Sequence, residues 1–112
     1  MNIENQITQK GGARLDNLNA TWPFAKIVAS REKVKLRVFS KEYEFEKNQI
    51  IGLREYNGIF SKGMIIEHKK KEYPHHIVFW TFSFKKIKKG LDSLGYYVGS
   101  PKKSDAWWRG GP

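Results

Sequence analysis

Three histidines, His68, His75 and His76, and three glutamates, Glu42, Glu44 and Glu46, are the residues whose types first suggest chemistry in this chain of 112 residues. Imidazole is a common metal ligand. Neighbouring positions 75 and 76 point to opposite faces if they lie in a strand, and the chain has no cysteine to complete a thiolate site. No metal is expected. Glu42, Glu44 and Glu46 alternate, so a strand would set all three carboxylates on one face. Paired carboxylates act as acid and base where a cleft pushes their acidities apart. Here Lys35 and Arg37, alternating on the preceding strand pattern, offer ordinary ion pairing instead. The chain contains no G-x-S-x-G elbow, no G-x-x-x-x-G-K-[ST] loop and no G-x-G-x-x-G turn. The expectation is a protein that is not an enzyme and takes no cofactor.

Binding chemistry is better represented. Lys69, Lys70 and Lys71 form a basic run beside Tyr73, and Trp22 and Phe24 are candidates for the same end of the fold. Each lysine near an acidic membrane is worth about 1 kcal/mol, and aromatic rings sit well at head-group level. In the competing structural reading, Trp22 and Phe24 plug the mouth of the barrel while the lysines solvate a turn. Lys85, Lys86 and Lys89 form a second basic set. Trp107, Trp108 and Arg109 are interface-type residues near the C-terminus, read either as a docking peptide, for a partner or a neighbouring copy, or as a flexible tail. Arg109-Gly110-Gly111 also resembles the end of ubiquitin-like proteins, but Pro112 follows it and conjugation is not expected.

The formal charge is +10. Residues 1–60 hold ten Lys/Arg against seven Asp/Glu, and residues 61–112 hold eleven against four. Such a field attracts polyanions: acidic lipid head groups, an acidic protein face or nucleic acid. It also serves solubility alone. Nucleic acid is the second choice, because most aromatics fall within apolar runs where core packing accounts for them, not along an exposed groove. No stretch is apolar and long enough to span a bilayer, and the N-terminus has no secretory pattern. A soluble, cytoplasmic protein is expected, with a peripheral place at the membrane as an alternative.

The elements that must position these residues centre on 63–82. Two apolar runs, 64–66 and 77–82, flank the basic segment and predict antiparallel strands. The second run leads into an amphipathic helix from Ser83, with Phe84, Ile87, Leu91 and Leu94 on one stripe and Gly95 ending it. Lys85 and Lys86 fall in its first turn, where positive charge opposes the helix dipole. Upstream, strands are expected over 24–30, 34–38, 42–46 and 50–56, with a weakly extended stretch over 13–20 and a break at Trp22-Pro23. Residues 1–12, ending in Gly11-Gly12, are expected to form a loose lead-in, 13–98 the domain and 99–112 a flexible tail. The fold class is mainly β: a small antiparallel barrel, or two packed sheets, of about seven strands with one C-terminal helix.

The blocks Asn19-Ala-Thr-Trp-Pro-Phe-Ala25, Gly63-Met-Ile-Ile-Glu-His68 and Tyr73-Pro-His-His-Ile-Val-Phe-Trp-Thr81, in that order of elements, resemble those of small bacterial pleckstrin-homology-like proteins of unassigned function. The resemblance covers residues 13–98. It implies two near-orthogonal sheets with one end plugged by the helix and the other ringed by loops, here near 21–24, 40–42 and 69–76. Lipid-binding members of that family carry a basic residue near the end of the first strand and another early in the second. Lys26 answers one of these, while the Trp22-Pro23-Phe24 turn departs from the pattern, so a specific inositol-phosphate pocket is not implied.

Overall fold

The computed structural model describes residues 6–16, 18–58 and 61–102. Its elements are β1 (Gln6–Arg14), β2 (Asn19–Ser30), β3 (Lys33–Val38), β4 (Lys41–Glu46), a 3-10 turn (Lys47–Gln49), β5 (Ile50–Asn57), β6 (Lys62–His68), β7 (Val78–Thr81), α1 (Phe84–Ser93) and β8 (Val98–Gly99). The fold is mainly β, with one open eight-stranded sheet in the order β4-β3-β2-β1-β7-β6-β5-β8 and one helix near the C-terminus.

The strand pair expected at the centre is present. Met64 stands opposite Phe79 and Ile65 opposite Val78 in the antiparallel β6–β7 ladder, and β7 leads within three residues into α1. Alternation sorts the side chains: Ala25, Ile27 and Ala29 of β2, Val34, Leu36 and Val38 of β3, and Tyr43 and Phe45 of β4 are all buried. They share one core with Leu53, Met64, Ile66, Ile77 and Phe79, so the sheet must curl back on itself. Phe84, Ile87, Leu91 and Leu94 of the helix stripe complete that core and are at most 6% exposed. Burial of each such side chain contributes about 1.5–3 kcal/mol. Gly95, at φ +92°, takes the left-handed conformation that ends the helix.

Several expectations need correction. The lead-in is not loose from Gln6 onward, because β1 is a central strand paired with β2 on one side and β7 on the other. Its glycines mark close approach. A Cβ on Gly11 would strike the Trp80 carbonyl oxygen, and one on Gly12 would strike the Trp80 indole. The extended stretch over 13–20 is instead the end of β1, a reversal closed by the Leu15 N–H to the Leu18 carbonyl (2.7 Å), and the start of β2.

Trp22-Pro23 does not end a strand either. The β1–β2 ladder passes from Gly11↔Ala25 directly to Ala13↔Ala20, so residues 21–24 form an excursion from β2 opposite Gly12. Pro23 therefore has no ladder hydrogen bond to forfeit. The sheet is mixed, not wholly antiparallel, because the two-residue β8 pairs parallel with β5. Ser83 stands at the helix N-cap without a side-chain capping bond; its backbone N–H instead reaches the Thr81 hydroxyl (3.3 Å).

Candidate anion-binding surfaces

The loop over 69–77 is held from two sides. Tyr73 packs edge-on against Tyr43 (5.2 Å between centroids) and Phe45 (5.3 Å). Its hydroxyl accepts hydrogen bonds from the Glu44 backbone N–H (3.2 Å) and the Lys70 ammonium (3.2 Å). Lys70 Nζ lies 4.3 Å from the Tyr73 ring centroid and donates to the Glu44 carbonyl (3.1 Å). Two of the candidate ligand-binding residues thus close the free edge of β4, satisfying polar groups that an edge strand leaves open. Lys69 and Lys71 remain exposed.

The histidines serve the same loop. His68 Nδ1 accepts from the Lys70 N–H (3.0 Å), which makes Nε2 the donor to the Pro74 carbonyl (2.8 Å). The Asp16 carboxylate, on the β1–β2 reversal, accepts the backbone N–H groups of His75 and His76, both at 2.8 Å, and meets His76 Nδ1 at 3.1 Å. Burial alone would push the Asp16 carboxyl up, but the two backbone donors and the His76 ring together outweigh it and hold it below its ordinary value. Among the described residues no three His, Cys, Asp or Glu gather into a metal-binding group. Of the glutamates, Glu44 pairs with Lys33 (3.1 Å), while Glu42 and Glu44 stand opposite Arg37 and Lys35 in the β3–β4 ladder.

Trp22 belongs to a different surface from Tyr73. Its ring meets Phe82 (6.2 Å), which in turn meets Trp80 (5.7 Å). Trp22 and Phe24 are not buried as a plug of the barrel mouth would be: they are 47% and 55% exposed, and Phe39 and Phe82 are 49% and 67% exposed. Phe24 and Phe39 stack at 5.7 Å, joined by the Phe39 N–H to the Phe24 carbonyl (2.9 Å).

Register brings cations to the same face. Lys10 stands opposite Lys26, and Lys26 opposite Arg37, so three neighbouring strands present three cations in one row, spaced at about 4.8 Å. Lys10, Lys26, Arg37 and Lys86 form no ion pair with any described carboxylate. Two grooves flank the row. One, of about 530 Å³, is lined by Trp22, Phe82, Lys10, Lys26 and Lys86 among others; the second, of about 280 Å³, is lined by Phe24, Phe39, Lys10, Lys26 and Arg37 among others.

The row costs the fold at its two like-charge contacts, Lys10–Lys26 and Lys26–Arg37, while Glu42 stands opposite Arg37 at its β4 end. Like charges directly opposite across strands are destabilising, by up to about 1 kcal/mol a pair. Phe39, at φ 56°, is the one non-glycine with positive φ among the described residues, a conformation costing a bulky residue roughly 1–3 kcal/mol. Asparagine or glycine would occupy that turn with less strain, yet an exposed ring stands there.

The helix lysines divide. Lys86 joins the Trp22 groove, whereas Lys85 and Lys89 line a third groove of about 390 Å³ with Asp92 and Tyr97. Lys88 is paired with Glu55. Trp107, Trp108 and Arg109 lie outside the described residues. Lys10, Arg37, Phe39 and Phe82 were not among the sequence candidates. Only Phe39, an aromatic immediately before a Ser-Lys turn, carries a local signal; the others join the surface through strand register alone. In comparison with known proteins, no family model and no curated relative matches this chain.

Proposed function

We propose that this chain is a non-catalytic binding module of pleckstrin-homology-like architecture that engages an anionic partner through the outer face of β1–β3, not chiefly through the loop over 69–77. The architectural part draws on the four-strand meander β4-β3-β2-β1, the three-strand run β7-β6-β5 beside it and the helix that follows β7. The observation that carries the functional part is the row Lys10–Lys26–Arg37, three cations side by side with two like-charge contacts between them, bordered by exposed rings and met by a carboxylate, Glu42, only at the β4 end. An anion placed over the row turns mutual repulsion into attraction. The basic loop contributes less, because Lys70 and Tyr73 are committed to closing the β4 edge.

Two double variants with equal charge change test this reading. K10E/K26E and K69E/K71E are each passed over immobilised heparin in a rising salt gradient. The sheet variant is expected to elute at clearly lower salt than the loop variant. Equal losses, or a larger loss from the loop variant, would move the surface back to residues 69–71.

A further inference from the structure

We infer that the partner of this face is a single-stranded nucleic acid, its phosphates over Lys10, Lys26 and Arg37 and its bases in the two aromatic grooves. The inference rests on the reading above and names the partner of the same site. Lys10 and Lys26 line both grooves, and each groove carries its own aromatic pair, Trp22 with Phe82 and Phe24 with Phe39. The order across the surface is aromatic, cationic, aromatic.

That order separates the candidate polyanions. A bilayer receives apolar side chains into one layer with cations behind them at the head groups. Here cations stand between the two aromatic pairs, so burying both pairs in lipid would drag Lys10 and Lys26 in with them. An unpaired nucleotide strand has no such conflict. It offers flat apolar bases and charged phosphates in alternation, and exposed rings beside a positive track are what sequence-tolerant strand binding requires. Each of the four rings is about half exposed or more, which leaves ring surface open to a base. A duplex keeps its base faces stacked inside and leaves the exposed rings none to stack on.

Position within the sheet supports the same geometry. Phe24 is two residues from Lys26 and Phe39 two residues from Arg37, and both rings line one groove together with Lys10, Lys26 and Arg37.

The test uses the full chain and a fluorescein-labelled thymidine 12-mer, with a duplex of the same length, polyglutamate and phosphatidylserine vesicles as alternatives. Three phosphate contacts predict a log–log salt slope of about −2, falling to about −0.7 in K10Q/K26Q. Trp22→Ala and Phe82→Ala should each weaken 12-mer binding by about tenfold or more, with thermal unfolding showing the variants folded. Quenching of tryptophan emission by the unlabelled 12-mer, absent with polyglutamate and lost in Trp22→Phe, reads stacking at Trp22 apart from the other three tryptophans. Binding of vesicles or polyglutamate with K10E/K26E sensitivity, but not of the 12-mer, overturns the nucleic-acid assignment and leaves the anion-binding face standing. Binding of the 12-mer undiminished by both aromatic substitutions and without quenching overturns the assignment as well. Binding of none of these probes at 50 mM salt overturns both readings.

Discussion

Lys10 and Lys26 face each other across the β1–β2 ladder, one step from Arg37 on β3; none of the three forms an ion pair with a described carboxylate, though Glu42 stands opposite Arg37 on β4. Cross-strand neighbours of like charge oppose folding, so their placement is a clue to what the sheet's outer face meets. Lys26→Glu should therefore stabilise the free protein by about 0.5–1 kcal/mol while weakening its hold on anions, since it exchanges two repulsions for two attractions. Urea midpoints at low salt check this. A lower midpoint for the variant would contradict the view that the row opposes folding.

Phe39→Asn offers a second separation of stability from binding. Asparagine tolerates the left-handed conformation that Phe39 occupies at φ 56°. Its relief of roughly 1–2 kcal/mol offsets the lost stacking on Phe24, worth about 0.5–1.5 kcal/mol. The melting temperature should hold or rise, and oligonucleotide affinity should fall. A loss of more than about 1 kcal/mol would mean that the ring is there for the fold.

Tyr73→Phe keeps the rings against Tyr43 and Phe45 and removes only the hydroxyl that meets Glu44 and Lys70. A cost of about 1 kcal/mol is expected, with faster hydrogen exchange at the Glu44 amide. Anion binding should be unchanged, because this residue braces the β4 edge away from the cationic row.

Asp16 links the β1–β2 reversal to the His75-His76 segment, and its carboxyl is held below the ordinary value. A carboxyl whose folded-state pKa is depressed contributes stability that is complete above its unfolded value, near 3.8, and is lost as pH falls through the folded value. Asp16→Ala should cost about 1 kcal/mol at neutral pH, at the low end for charge-assisted bonds because the site is partly exposed. The gap between the two proteins should narrow below about pH 4. Denaturation midpoints at pH 7 and pH 3 check the sign; a gap that widened in acid would be incompatible with it.

Much of the core was legible because period and burial agree. Val34, Leu36 and Val38 alternate with charges, and Phe84, Ile87, Leu91 and Leu94 keep helical spacing, and all seven are buried. β1 escaped because Gln6, Thr8 and Lys10 give its outer face a polar look, and Gly11-Gly12, which resemble a linker, are there to let Trp80 approach. The candidate surface was less legible still. Lys10, Lys26 and Arg37 lie on three strands and meet only through register, which no local pattern encodes. Lys69, Lys70, Lys71 and Tyr73 drew attention by adjacency in sequence, yet two of the four spend their polar groups on the loop itself and on β4.

The most direct measurement is the map of backbone amide shifts when the thymidine 12-mer is titrated into the ¹⁵N-labelled full chain. The account predicts that the perturbed amides cluster at residues 8–10, 22–28, 37–39 and 81–86, with residues 69–73 little changed. Perturbation centred on residues 69–73, or spread without focus over all the lysines, would contradict it.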